Sequence, residues 1–112
     1  FIDAATSAVQ AAYPDALVIA FGHVGDGNVH FNIACRELGA GDDFIAATSP
    51  ASSIVYDVVD TFGGSISAEH GIGVLKREEL AARKPVDVAV MKSIKAAIDP
   101  KGLMNPRVVL GR

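Results

Sequence analysis

The 112 residues contain no tryptophan, two methionines and one cysteine, and aromatic side chains make up 6% of the chain. Cys35 alone cannot close an internal disulfide, so the fold must rest on a packed core and nothing points to an oxidising compartment. Long apolar runs are also missing. The longest, Ala16 to Phe21, is six residues, against roughly 18 or more for a membrane-spanning helix. There is no basic run either: ten Lys and Arg stand against 13 Asp and Glu, for a net charge of -3. That balance argues against nucleic acid or anionic lipid as a partner. The chain reads as cytoplasmic. No repeat, low-complexity tract or Pro/Gly/Ser-rich linker divides it. It begins at Phe1, inside an expected helix, so we expect a piece of a longer protein.

What is present is a half-apolar chain with periodic structure. Ile2, Ala5, Val9 and Ala12 recur at helical spacing, and Tyr13-Pro14-Asp15 ends the pattern, which predicts a helix over about 2–12. Leu17 to Phe21 and Val29 to Ile33 read as strands. Asp26-Gly27 between them is a favoured pair for a two-residue type I′ turn. Ser49-Pro50 reads as a cap and first helical residue, followed by a stripe of Ile54, Val55, Val58, Val59 and Phe62 that Gly63-Gly64 stops. Ser65 to Ala68 is a third strand candidate. Val74 to Lys84 and Asp87 to Ile98 are predicted helices, the latter with a core-type stripe of Val90, Met91, Ile94 and Ile98. The expected class is α+β: a truncated, ferredoxin-like antiparallel sheet with helices on one face and further helices at the C-terminus.

A two-residue turn at Asp26-Gly27 sets His23 directly opposite His30, with Asn32 on the same face, while Val24, Val29, Phe31 and Ile33 face the core. Opposed residues have Cβ atoms roughly 4.5–5.5 Å apart, within reach of one shared cation. Glu69 is the candidate third ligand. Two histidines and a carboxylate leave a coordination position open, as catalytic divalent metal sites do. His70 is then the candidate base, since an imidazole titrates near neutrality. Asn32 is a candidate hydrogen-bond partner for a substrate oxygen. Each residue also has an ordinary structural reading: half-exposed strand histidines, turn glycines, a solvated Glu69, and Cys35 as a small core side chain. A phosphate cradle at Gly71-Ile72-Gly73 lacks the third glycine and parallel strand that would support it.

The string Gly22-His23-Val24-Gly25-Asp26-Gly27-Asn28-Val29-His30 resembles the GHxGDGNxH segment of FAD-linked oxidases. Gly64 to Gly73 is similar to that family's second signature, and Met91 to Lys95 with Asp99 to Pro106 to its C-terminal ending. The family includes D-lactate dehydrogenases, the flavin subunit of glycolate oxidase and D-2-hydroxyglutarate dehydrogenases, with the flavin fold of vanillyl-alcohol oxidase. The resemblance implies that His23, His30 and Glu69 hold a divalent metal, commonly zinc, that His70 is the base, and that Asn32 and His70 contact substrate. It implies FAD as cofactor, bound mainly by an N-terminal domain not in this chain, so that the chain by itself is inactive and its own flavin contacts are unassigned.

The substrate would be a small D-2-hydroxy acid and the product its 2-oxo acid, with electrons passing to an acceptor the sequence does not name. Residues 1–84 would be the C-terminal part of the substrate or cap domain, and 85–112 a helix and tail returning to the flavin domain. A truncated sheet leaves an open edge, so self-association is expected. At the end of the chain Asn105-Pro106-Arg107-Val108 departs from the Asn-Pro-Gly-Lys often found in the family. Two readings stay open beside this one: a stand-alone metal-binding or interaction module without redox activity, and a hydrolytic zinc site of the two-histidine, one-glutamate type.

Overall fold

The computed structural model describes residues 1–36, 42–67 and 69–111, with the backbone alone over 42–49. They form two compact units, Phe1–Ala68 and Glu69–Arg112. In the first, helix α1 (Ile2–Ala12) is followed by strands β1 (Leu17–His23) and β2 (Asn28–Ala34) and helix α2 (Asp42–Thr61). Ala5 and Val9, the middle of the predicted stripe of α1, are 0% exposed. Burying the Val9 side chain stabilises the unit by roughly 1.5–3 kcal/mol. The helix ends at Tyr13, whose N–H still donates to the Val9 carbonyl at 2.8 Å, because Pro14 cannot follow a residue in helical conformation.

β1 and β2 pair antiparallel from Leu17↔Ala34 to His23↔Asn28. Val18, Phe31 and Ile33 pack with Tyr13, Ile54 and Val59 around Val9, Ala16 and Val55, so α1 and α2 cover one face of the hairpin. Cys35 packs at the margin of this core, as its size suggests. The Phe1 ring meets Phe31 and Phe62 edge-on, with centroids 6.0 Å apart in both pairs.

Two expectations for this unit need correcting. Helix α2 begins at Asp42 and runs through Pro50, so the cap expected at Ser49 falls within it. Proline removes one intrahelical bond and crowds the preceding turn. Ala51 at 1% and Val55 at 7% exposure are packed just beyond it, and tertiary packing of this kind outweighs local propensity. The third strand is not formed: Ser65, Ile66 and Ser67 are a bend, and Ala68 lies outside the described residues. The Ser65 hydroxyl donates to the Ser67 carbonyl at 2.8 Å and accepts from its N–H at 3.3 Å, a local closure that competes with a sheet ladder. The described sheet therefore has two strands. The architecture is α+β, without the additional strands of a ferredoxin-like sheet among the described residues.

The second unit holds helices α3 (Arg77–Arg83) and α4 (Pro85–Ile98). Glu78 and Glu79 at the start of α3 and Arg83 at its end complement the helix dipole, and Arg83 pairs with Glu79 at 2.9 Å. Val74 and Leu75, predicted to be helical, lie in the preceding turn and are 51% and 92% exposed. Pro85 occupies the first turn of α4, where its missing N–H costs nothing. The stripe on α4 is not core: Val90, Met91, Ile94 and Ile98 are all exposed, and Val88 is the buried residue of this helix.

Asp99 closes α4. Its carboxylate accepts from Lys95 Nζ and, at 2.9 Å each, from the N–H groups of Leu103 and Met104. Lys95 Nζ also donates to the Met104 carbonyl. The Lys95 bond above all, then the two backbone donors, lowers the Asp99 pKa from 3.8 to about 2.

Candidate functional site

The loop joining the strands is longer than the predicted two-residue turn. Val24–Asp26 forms a single 3-10 turn, the Gly27 N–H donates to the Val24 carbonyl at 3.2 Å, and Gly27 takes the left-handed conformation at φ 64°. A type I′ turn would require positive φ at Asp26 as well, and Asp26 does not have it. The register accordingly shifts by two. His30 faces Phe21, and His23 faces Asn28. Val24, placed on the core face by the two-residue turn, sits in the loop and is 97% exposed.

A shift of two residues leaves every side chain on its original face, where a shift of one would have reversed them. His23, His30 and Asn32 therefore still share the face opposite Val18, Phe31 and Ile33. His23 and His30 are diagonal neighbours across the ladder, a spacing of roughly 7–8 Å that long side chains can bridge. The same face carries Phe21, Ile19 and Leu17, 51–60% exposed. Core packing sets the orientation of the hairpin, and its outer side carries two imidazoles, the amides of Asn28 and Asn32, and an apolar border.

Gly22 is the tightest point of this arrangement. A Cβ there would lie 2.1 Å from the Asn28 carbonyl oxygen and 3.0 Å from Val29 Cα. Only glycine permits that approach. From the sequence, Phe21 is placed only as a strand residue and Gly22 only within the signature segment, with no role for either in the site. A glycine inside a strand pattern, rather than in the turn itself, was the available signal.

Glu69 and His70 lie in the second unit, exposed, in a bend ahead of Gly71. Among the described residues, neither unit gathers three or more His, Cys, Asp or Glu side chains as a metal ion would require. The donor chemistry of the first unit does suit a divalent metal: two imidazoles on one open face. Among the described residues, clefts of about 360 and 510 Å³ in the second unit are both bordered by Lys92, Arg107, Leu110 and Gly111. Neither is lined by Glu69 or His70.

Residues 2–109 match the family described as FAD linked oxidases, C-terminal domain. The chain belongs to this family. A D-2-hydroxyglutarate dehydrogenase of Stutzerimonas stutzeri is 43% identical over 95 residues, 84% of this chain and 20% of that protein. The mitochondrial D-2-hydroxyglutarate dehydrogenase of Danio rerio is 48% identical over 90 residues, 80% of this chain and 16% of that protein. A D-2-hydroxyglutarate-pyruvate transhydrogenase of Saccharomyces cerevisiae is 42% identical over 87 residues, 77% of this chain and 16% of that protein. The chain thus spans a fifth or less of these curated relatives.

Within this C-terminal domain, Arg107 stands where the family's ending often carries glycine. Its φ is 68°, a left-handed conformation that glycine adopts freely and other residues rarely do. Arginine itself holds the left-handed conformation in this turn. The Arg107 carbonyl accepts a bond from Arg77 Nη1 at 3.2 Å, which ties the tail to α3.

Proposed function

We propose that this chain is the substrate and metal part of an FAD-dependent oxidoreductase that converts a D-2-hydroxy acid to its 2-oxo acid, with D-2-hydroxyglutarate the leading substrate. The family match over residues 2–109 carries this reading, and the names of the relatives supply the substrate. Residues 1–84 would form the C-terminal part of the substrate domain, and 85–112 would return to a flavin domain. The exposed apolar stripe of α4 supports that return.

His23, His30 and Glu69 would hold the metal, for which zinc fits a set of two imidazoles and a carboxylate with one position open. When bound, the metal supplies Lewis-acid charge and FAD the redox chemistry. Asn32, on the face shared with the two histidines, would orient the substrate through an oxygen. His70, exposed beside Glu69 in sequence, would take the proton of the 2-hydroxyl group. An imidazole nitrogen can accept that proton and pass it on to water.

A cytoplasmic location is our reading for this chain, while the Danio rerio relative is named mitochondrial. Among the described residues no helix is long and apolar enough to cross a membrane. A stand-alone module is disfavoured, because residues 2–109 match a C-terminal domain of FAD-linked oxidases and the chain spans a fifth or less of its relatives.

The test uses the full-length protein that carries this chain. It should oxidise D-2-hydroxyglutarate with higher kcat/KM than D-lactate or glycolate. His70→Ala should lower turnover by roughly 10²–10⁴-fold with metal content intact, whereas His30→Ala should lose both. Equal metal loss in the two variants would overturn the division of roles, and no oxidation of any 2-hydroxy acid would overturn the function.

A further inference from the structure

Phe21 and His30 are a cross-strand pair whose rings lie face to face, with centroids 4.9 Å apart and planes 7° from parallel. Phe21 is 56% exposed and takes no part in the core around Val9, Ala16 and Val55. Its contact with His30 is therefore not a by-product of core packing. The geometry of that contact matters chemically. An imidazole binds a metal or accepts a hydrogen bond through nitrogen lone pairs in the plane of the ring. A neighbour that covers the face fixes the plane without itself blocking the in-plane nitrogens, whereas an edge-on neighbour would obstruct one of them.

The hairpin restrains the other end of the stack. Phe21 is followed by Gly22, whose Cα lies so close to Asn28 that no side chain fits, so the backbone carrying Phe21 sits firmly against the strand carrying His30. Both side chains leave the same face at opposite positions of the ladder, and opposite side chains are the closest pairs a sheet offers. We propose that Phe21 is a positioning residue for His30: it holds the imidazole plane before ligation and so lowers the ordering cost of binding. This rests on the reading of His30 as a metal ligand. Supporting residues around metal-ligating histidines commonly change affinity by roughly 10- to 100-fold. A stack that restrains one side chain without hydrogen-bonding it should contribute less, about three- to tenfold.

The experiment is zinc titration, by calorimetry, of the metal-stripped full-length protein that carries this chain, for wild type, Phe21→Leu and Phe21→Tyr, with amide exchange over residues 17–34 to confirm that the ladder persists. Leucine keeps apolar bulk and loses the stack, and tyrosine keeps both. The expected result is about three- to tenfold weaker zinc binding in Phe21→Leu and wild-type affinity in Phe21→Tyr, with ladder protection alike in all three. Unchanged affinity in Phe21→Leu would overturn the positioning role and leave the metal reading standing. Equal loss in both variants would also overturn it, because the ring would then not be what matters. Absence of zinc binding in wild type would overturn the metal reading and this inference together.

Discussion

Replacing Gly22 by alanine should force the hairpin apart beside the two histidines. The new methyl carbon would sit 2.1 Å from the Asn28 carbonyl oxygen, where carbon and oxygen normally approach to roughly 3.3–3.6 Å. The strands must separate by more than about 1 Å at a spacing of roughly 4.7–4.9 Å. Every atom within 3.0 Å of the added carbon is backbone, so no rotamer change relieves the contact. Overpacking costs about 1–3 kcal/mol. Losing two ladder bonds between Gly22–His23 and Asn28–Val29 adds about 0.5–1.5 kcal/mol each. The expected destabilisation is about 2–6 kcal/mol, a large share of the 5–15 kcal/mol typical of a folded domain. Gly25→Ala is the control, because a Cβ there meets nothing within 4 Å. It should be neutral or slightly stabilising, since alanine reduces the freedom of the unfolded chain. Urea titration of both variants, with amide exchange over residues 17–34, separates them. A Gly22→Ala change under about 1 kcal/mol, or equal to that of Gly25→Ala, would refute the close-approach argument.

The remaining predictions concern the second unit. The folded pKa of Asp99 lies below its ordinary value, so its stabilisation is fully present above pH 3.8 and disappears as pH falls toward about 2; Asp99→Asn should flatten that acid limb in a pH series of melts, and an unchanged limb would refute it. Arg107→Gly should raise stability by roughly 0.5–1 kcal/mol, the left-handed penalty less glycine's greater unfolded freedom, whereas a loss would show that the arginine side chain contributes more than its backbone costs. With Ile94 and Ile98 54% and 69% exposed, the 112-residue chain should self-associate in light scattering, and Ile94→Lys/Ile98→Lys should reduce this. A wild-type monomer at high concentration would count against it.

The legible parts of the sequence were those governed by short-range rules. Helix α1 has the predicted bounds because Tyr13-Pro14 is a backbone stop that tertiary packing does not override. Both strands were found from β-branched runs and alternation, and their faces followed from Phe31 and Ile33. The turn misled because Asp26-Gly27 serves equally as the end of a 3-10 turn with one left-handed glycine. Pro50 misled because its local preference for a helix start gave way to the packing of Ala51 and Val55. Ser65 to Ala68 has strand-like spacing, but serine hydroxyls can satisfy the backbone locally, and a pattern of apolar positions does not show that. For the site, the signature residues of the hairpin share one face as read. The stacking of Phe21 on His30 was hidden, because it depends on a register set by the loop.

The pairing shift between expectation and structure points to how this hairpin tolerates change in length. Its outer and inner sides are distinguished by parity alone. Removing one residue within 29–31 while the ladder re-forms would bring Asn32 to the inner side and Phe31 or Ile33 to the solvent, whereas removing two would restore the original sides. Inherited insertions and deletions in these strands should therefore survive in pairs and be purged as singles, while the connecting turn, which carries neither side's pattern, is free to vary by either.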